Sequence, residues 1–405
     1  MISEKMKALG MKKSTIREIF EYAKIRKAEI GDDHVFDFSI GNPSVASPDI
    51  VNETLTTLLR DMNPVLLHGY TSAQGDPNVR KAIADYLNTT YDAGASADLI
   101  YLTAGAAAAL TITLNAILSD NKTEEVIAFA PFFPEYKVFT ESAGGKLITV
   151  PCTEPDFQID FDAFKSALTP QTKAVIVNSP NNPTGVVLSK EMITRLCTVL
   201  SEAQETFHHP IYLIADEPYR ELVYGDVEVP YLTKYYDNTI VCYSFSKSLS
   251  LPGERIGYIL VSPQAEESKT IYAAVVGAGR ALGFVCAPSI FQYLIPSCLG
   301  KTSDISAYEK NRNLLYHSLT KLGYRCASPD GAFYLFVKAL EDDANAFCER
   351  AKKHELLLVA SDDFGFPGYV RIAYCVTTEQ IKRALPAFAA LAEEYNENKG
   401  MINNG

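Results

Sequence analysis

Several apolar runs in this chain end in residues able to do chemistry. Lys247 follows the run Thr239–Cys242 in the order Ser244-Phe245-Ser246-Lys247. Burial makes an ammonium costly there, and Arg255 further along the same segment adds a second positive charge. Both effects lower a lysine pKa and favour a nucleophilic amine. Asp216 ends the run Ile211–Ala215. A carboxylate at that place needs a partner, although an N-cap ahead of Glu217-Pro218 accounts for it equally well. Gly105-Ala106-Ala107 lies between a strand-like run and a helix-like one, so its free N–H groups can hold an anion. Ser244 and Ser246 point the same way on an extended segment, and Arg255 offers a bidentate guanidinium. Arg371, flanked by apolar residues in YVRIAY, also calls for an anion.

The elements that position these residues follow from the apolar pattern. Runs at Leu99–Leu102, Val126–Ala128, Leu147–Val150, Ala174–Val177, Ile211–Ala215, Thr239–Cys242 and Ile256–Val261 read as buried strands. Helix-period segments lie between several of them, such as Ala107 to Leu118 and Ser189 to Ser201. Strand followed by helix, repeated, predicts an α/β fold with a mostly parallel sheet. Such sheets bind ligands at the carboxyl ends of their strands, which is where the polar residues fall. After about Pro288 the texture changes to long helices, a strand over Gly331–Phe336, another over Tyr369–Cys375 and a final helix from Thr378 to Asn396. This portion is expected to form a smaller α+β domain with the segment near Phe36–Asn42. The expected division is a large domain over 46–290, with 1–45 and 291–405 making an N-terminal arm plus the small domain.

Composition excludes several classes. The 405 residues carry 37 Lys+Arg against 49 Asp+Glu, a net charge of −12 that repels nucleic-acid backbones. The eight cysteines form no C-x-x-C pair and no cluster with histidine, so neither a disulfide framework nor a metal site is expected. The start lacks an apolar h-region and no run reaches membrane-spanning length, so a cytoplasmic protein without membrane or nucleic-acid partners is expected. Lys5, Lys7, Lys12 and Lys13 read as a solvated basic arm.

The segment SFSKSLSLPGERIGY at 244–258 resembles the lysine region of the pyridoxal-phosphate-dependent aminotransferases of class I/II, the fold type I group that includes aspartate aminotransferase. Matching segments follow in the family's order: FSIGNPS at 38–44, GYTSAQGDPNVRKAIADYL at 69–87, LTAGAAAAL at 102–110, APFFPEY at 130–136, NSPNNPTG at 178–185, ADEPYREL at 215–222, GAFYLF at 331–336 and YVRIAY at 369–374. The resemblance implies a large domain with a mostly parallel, mixed seven-stranded sheet flanked by helices. It implies pyridoxal 5'-phosphate as cofactor, held as an internal aldimine on Lys247, which then shuttles the proton. Asp216 would face the pyridine nitrogen, with Tyr219 and Asn182 on the phenolic oxygen. Gly105, Ala106, Ala107, Ser244, Ser246 and Arg255 would hold the phosphate, although Ala106 and Ala107 lack the hydroxyl that many relatives carry. Phe133 would stack on the ring, and a register shift of one would exchange it with Phe132. Tyr70 would reach the phosphate of a neighbouring subunit, implying a homodimer with active sites at the interface. Gly41, Asn42, Asn182 and Arg371 would bind the substrate, Arg371 gripping its α-carboxylate. Arg280 falls near the place of a second arginine that binds a distal carboxylate in aspartate-specific members, about one residue out of register. The implied activity is ping-pong transfer of an α-amino group from an amino acid to a 2-oxo acid. A C–S β-lyase or another eliminating enzyme would share the same site.

Overall fold

The computed structural model describes residues 2–11, 15–119 and 123–402, so that Lys12 and Lys13 lie outside the described residues. In chain order its strands are β1 (Phe36–Asp37), β2 (Ile100–Thr103), β3 (Glu125–Ala130), β4 (Lys146–Pro151), β5 (Thr172–Asn178), β6 (Tyr212–Asp216), β7 (Thr239–Ser244), β8 (Gly257–Val261), β9 (Tyr334–Lys338), β10 (Leu356–Leu357), β11 (Val359–Ala360) and β12 (Tyr369–Ala373). Seven of them form one sheet in the order β2-β8-β7-β6-β5-β3-β4. All its neighbours run parallel except β8, which is antiparallel to both β2 and β7.

Side chains alternate between two cores, one on each face. Ile127, Val175, Leu213, Val241 and Leu260 face one; Val126, Ile176, Ile214, Ile240 and Ile259 face the other. Helix Lys190–Phe207 covers the first face through Ile193, Leu196 and Leu200. Helix Gly105–Ile117 covers the second through Ala109, Leu110 and Leu114. Burial on both faces explains why the other strands read as unbroken apolar runs rather than alternating ones; at the sheet edge β4 differs from the buried strand expected there, with Val150 alone buried. It also leaves the loops at the carboxyl ends as the place where polar groups collect.

A three-stranded antiparallel sheet, β11-β12-β9, and a parallel pair, β1-β10, lie outside the large sheet. They share a third core, with Phe38, Phe347, Leu356, Ile372 and Phe388 packed together under helix Thr378–Ile402. The segment after β1 is drawn in by a bond from Ala373 N to Phe38 O at 2.9 Å. The strand expected from Gly331 begins three residues later, at Tyr334. Gly331 N and Ala332 N instead donate to Gly185 O at 2.9 Å and Leu222 O at 2.8 Å, in the loops that follow β5 and β6 of the large sheet. That diversion stitches the two sheets together beside the cleft between them. No described helix is long and apolar enough to cross a membrane.

Candidate active site

The register of the large sheet brings Asn178 and Asp216 side by side at the ends of β5 and β6. Asn178 Nδ2 donates to Asp216 O at 2.9 Å, while its Oδ1 accepts from Asn182 N at 2.7 Å. One side chain thereby ties the NSPNNPTG turn to the strand carrying Asp216. The carboxylate of Asp216 is buried, and its Oδ2 accepts from Tyr136 OH. Its Oδ1 has no partner. Burial pushes the Asp216 carboxyl up to about 7; the Tyr136 hydrogen bond opposes this and the nearby Glu217 adds to it. A buried oxygen without a donor is expensive, so its retention at a cleft marks a place for an incoming N–H.

Lys247 follows β7 and turns its amine into the same cleft, where Nζ donates to Gly41 O at 2.6 Å. Burial pulls its pKa down to about 8, with Cys375 opposing and the charges of Arg371 and Arg255 assisting. A substantial fraction of the amine is therefore neutral at physiological pH. The anion-binding features meet beside it. Ser244 Oγ and Ser246 Oγ lie 2.7 Å apart, and Arg255 Nη1 donates to Pro252 O at 2.9 Å. Gly105 opens helix Gly105–Ile117 at φ +80°, and a Cβ added there would stand 2.7 Å from Arg255 Nη2. Only glycine leaves the guanidinium and the helix N-terminus room to face one anion together. Ala106 and Ala107 line the cleft next to them.

Arg371 sits on the central strand β12, between β11 and β9, and is only 2% exposed. Its Nη1 donates to Asn182 Oδ1 at 3.1 Å and its Nη2 to Ser39 O at 2.5 Å, while Nε has no partner. The guanidinium lies over the rings of Tyr334, at 4.6 Å, and Phe364, at 5.2 Å. Tyr219 OH meets Tyr334 OH at 2.9 Å. Arg371, Asn182, Tyr219 and Tyr334, with Phe133 and Gly41, line a cleft of about 280 Å³.

Phe133 lines the cleft, whereas Phe132 is buried in the core. Three candidates stand apart. Tyr70 is 89% exposed, and neither it nor Asn42 lines the cleft. Arg280, exposed in the last turn of helix Ser268–Ala281, is also outside the lining. Three residues that line or support the site went unremarked in the sequence: Tyr136, Tyr334 and Asn178. Each lies inside a segment quoted above, but its partner is far away in the chain and only the fold reveals the pairing.

The Lys247 amine, the unpartnered Asp216 Oδ1 and the glycine-opened cradle at Arg255 fit pyridoxal phosphate: an aldehyde for the amine, a ring N–H for the carboxylate oxygen and a phosphate for the cradle. The family model for aminotransferase class I and II matches residues 33–388. The structure resembles that of an amino transferase from Eubacterium rectale at a TM-score of 0.95, with 56% identity over 98% of this chain and 99% of that one. It resembles the aspartate aminotransferase of Thermus thermophilus, solved with maleate, at a TM-score of 0.85, with 26% identity over 96% of this chain and 99% of the other. An aspartate aminotransferase of Thermotoga maritima is 29% identical over 95% of this chain and 97% of its own.

Proposed function

The chain belongs to the class I and II aminotransferases, a family generally dependent on pyridoxal phosphate, and we propose that it moves an α-amino group from an amino acid to a 2-oxo acid in two half-reactions through this one cleft. The observation that carries the reading is the meeting of three underused groups in one cleft: the Lys247 amine, Asp216 Oδ1 and the Arg371 guanidinium. When bound, the coenzyme supplies an aldehyde that takes up the amino group and a ring that draws electrons from the substrate α-carbon.

The chain's own residues then divide the work. Asp216 would hold a proton on the ring nitrogen, and its burial would strengthen that attraction. Tyr219 and Asn182 would donate to the phenolic oxygen. Gly105, Ala106 and Ala107 would present backbone N–H groups to the phosphate, with Ser244, Ser246 and Arg255 completing the cup. Phe133 would lie against the ring face. Lys247 would be the amine that tethers the coenzyme and, when free, the base that holds and moves the proton of the substrate α-carbon. Arg371 fixes the substrate carboxylate through its planar fork, with the Gly41-Asn42 turn above it. One guanidinium for both substrates requires the first product to leave before the second substrate binds, which is ping-pong order. Free thiols at all eight cysteines support a reducing, cytoplasmic setting.

The decisive test is spectroscopic. The yellow protein should bleach with an amino acid and recover with a 2-oxo acid, and borohydride should label the peptide containing Lys247. Lys247→Ala should lose the borohydride label and about 10³-fold or more of turnover. Release of pyruvate and ammonia from cysteine or cystathionine, without an oxo-acid acceptor, would replace transamination by β-elimination.

Tyr70 supports a homodimer. It stands exposed with Val65, at 80%, and Leu66, at 62%, an apolar group that a second subunit would cover. Tyr70 then reaches the partner's phosphate. Light scattering should give twice the chain mass, and a monomeric mass with full activity overturns this assignment.

A further inference from the structure

The reaction as read above gives no task to a buried polar chain that lies behind Lys247. Ser248, the next residue, lines a water-sized cavity that shares no residue with the cleft. Tyr243 OH lies 2.9 Å from Glu221 Oε1 and 3.1 Å from Ser248 Oγ. A phenol has one proton; given to the carboxylate, it obliges Ser248 to donate to the phenolic oxygen. Ser248 is held by its backbone too, its carbonyl accepting from Ser303 N at 2.7 Å. Glu221 Oε2 is buried with no partner. We propose that Glu221 is a positioning residue for the Lys247 amine, acting through Tyr243 and Ser248.

This rests on Lys247 being the coenzyme-bearing amine. The chain of bonds joins two loops from the rear. Residues 216–222 carry Asp216 and Tyr219, and residues 244–250 carry Lys247, so the clamp fixes the distance across which the proton moves. Misplacing a reacting group by about 1 Å costs orders of magnitude in rate, so small rotations of Ser248 are felt at Lys247.

The clamp also responds to charge. Arg220, Glu217, Tyr91, Tyr231, Tyr243, Tyr258 and Lys301 surround Glu221. Arg220, the cation beside it in sequence, is engaged by Glu217. Burial pushes the Glu221 carboxyl up to about 7; the hydrogen bond from Tyr243 and the charge of Arg220 oppose this, and Glu217 adds to it. A bond to an ionised acceptor is about twice as strong as one to a neutral acceptor, so the clamp tightens as pH rises through about 7.

The test uses the pyridoxal-phosphate-loaded enzyme and compares wild type with Tyr243→Phe, Ser248→Ala and Glu221→Gln. Three quantities are read: the half-reaction rate with α-protiated and α-deuterated amino acid, the pH titration of the coenzyme's visible absorbance, and coenzyme Kd. Tyr243→Phe, which removes both bonds of the chain, and Ser248→Ala, which removes the one next to Lys247, should each slow the half-reaction about 5- to 10-fold while raising the isotope effect and shifting the titration midpoint. Coenzyme Kd should stay within about twofold. Wild type should slow below pH 7 as Glu221 is protonated, whereas Glu221→Gln, which retains an acceptor for Tyr243, should stay within about threefold of wild type at pH 8 and lack that decline. Variants with lower thermal stability but a wild-type rate, isotope effect and titration overturn the proposal and leave the chain as packing alone. Should Tyr243→Phe fail to fold, Ser248→Ala decides the same point. If wild-type protein shows no borohydride label at Lys247, the reading of that lysine fails instead, a separable result.

Discussion

Asp216 and Glu217 are consecutive, and they are 4% and 3% exposed, yet the protein treats them oppositely. Glu217 is fully engaged by Arg220: Nε donates to Oε2 at 2.6 Å and Nη2 to Oε1. The guanidinium goes on to Val229 O and Pro230 O, each at 3.1 Å, and lies over the rings of Tyr231, at 4.7 Å, and Tyr91, at 5.3 Å. Asp216 has a single side-chain donor, Tyr136, and one bare oxygen. Alternation at the end of β6 sends one carboxylate into the cleft and the other behind it. A buried charge with every valence met holds structure together. One left short is kept at a cost in stability, and that cost marks the place of a ligand.

The largest effect that tests this contrast comes from Asp216→Asn. Neutralising the ring partner should lower turnover roughly 10²- to 10³-fold, measured as the half-reaction rate of loaded enzyme. The same change should stabilise the coenzyme-free protein. Folding raises the Asp216 carboxyl from 3.8 to about 7, so the native state holds the extra proton between those values. Wild type therefore loses stability as pH rises across that window, and the penalty is complete above it. The asparagine variant pays none of it. Its advantage in urea unfolding should grow from pH 4 to pH 7 and then level off. A variant less stable than wild type at pH 8 would show that Asp216 is structural and that the contrast with Glu217 is false.

Much of this site was legible because its residues sit where apolar strands stop. Asp216, Lys247 and Ser244 each follow an unbroken buried run, and all seven runs of the large sheet became strands. The antiparallel setting of β8 was not in the pattern, since a strand buried on both faces has the same composition in either direction. Nor could spacing reveal the contacts of Tyr136 with Asp216, or of Tyr334 with Tyr219 and Arg371. Tyrosine suits a core and a site equally well, and what distinguishes them is where the hydroxyl ends. Gly331–Phe333 read as strand because of its apolar residues, but its N–H groups serve loops of the large sheet instead of a ladder. Tyr70 could be named from its motif only; its exposure gives it no partner within its own chain's cleft.

Glu217→Gln gives the smaller effect on the reaction and tests the other half of the contrast. The amide keeps the shape and one acceptor but removes the charge opposing Arg220, and a buried cation without its counterion is destabilising. The expected loss is about 2–4 kcal/mol of unfolding free energy, below the full cost of deleting a buried partner because the two carbonyls and two rings still hold the guanidinium. The folded, loaded variant should nevertheless run its half-reaction within about threefold of wild type, because no atom of Glu217 lines the cleft. Stability and rate thus separate across one peptide bond: Asp216→Asn loses rate and gains apo stability, whereas Glu217→Gln loses stability and keeps its rate. If Glu217→Gln slows the chemistry tenfold or more while coenzyme affinity holds, the Glu217–Arg220 pair acts on the site through the Glu221 carboxylate beside it. The boundary between supporting and reacting charge would then lie one residue further along the loop.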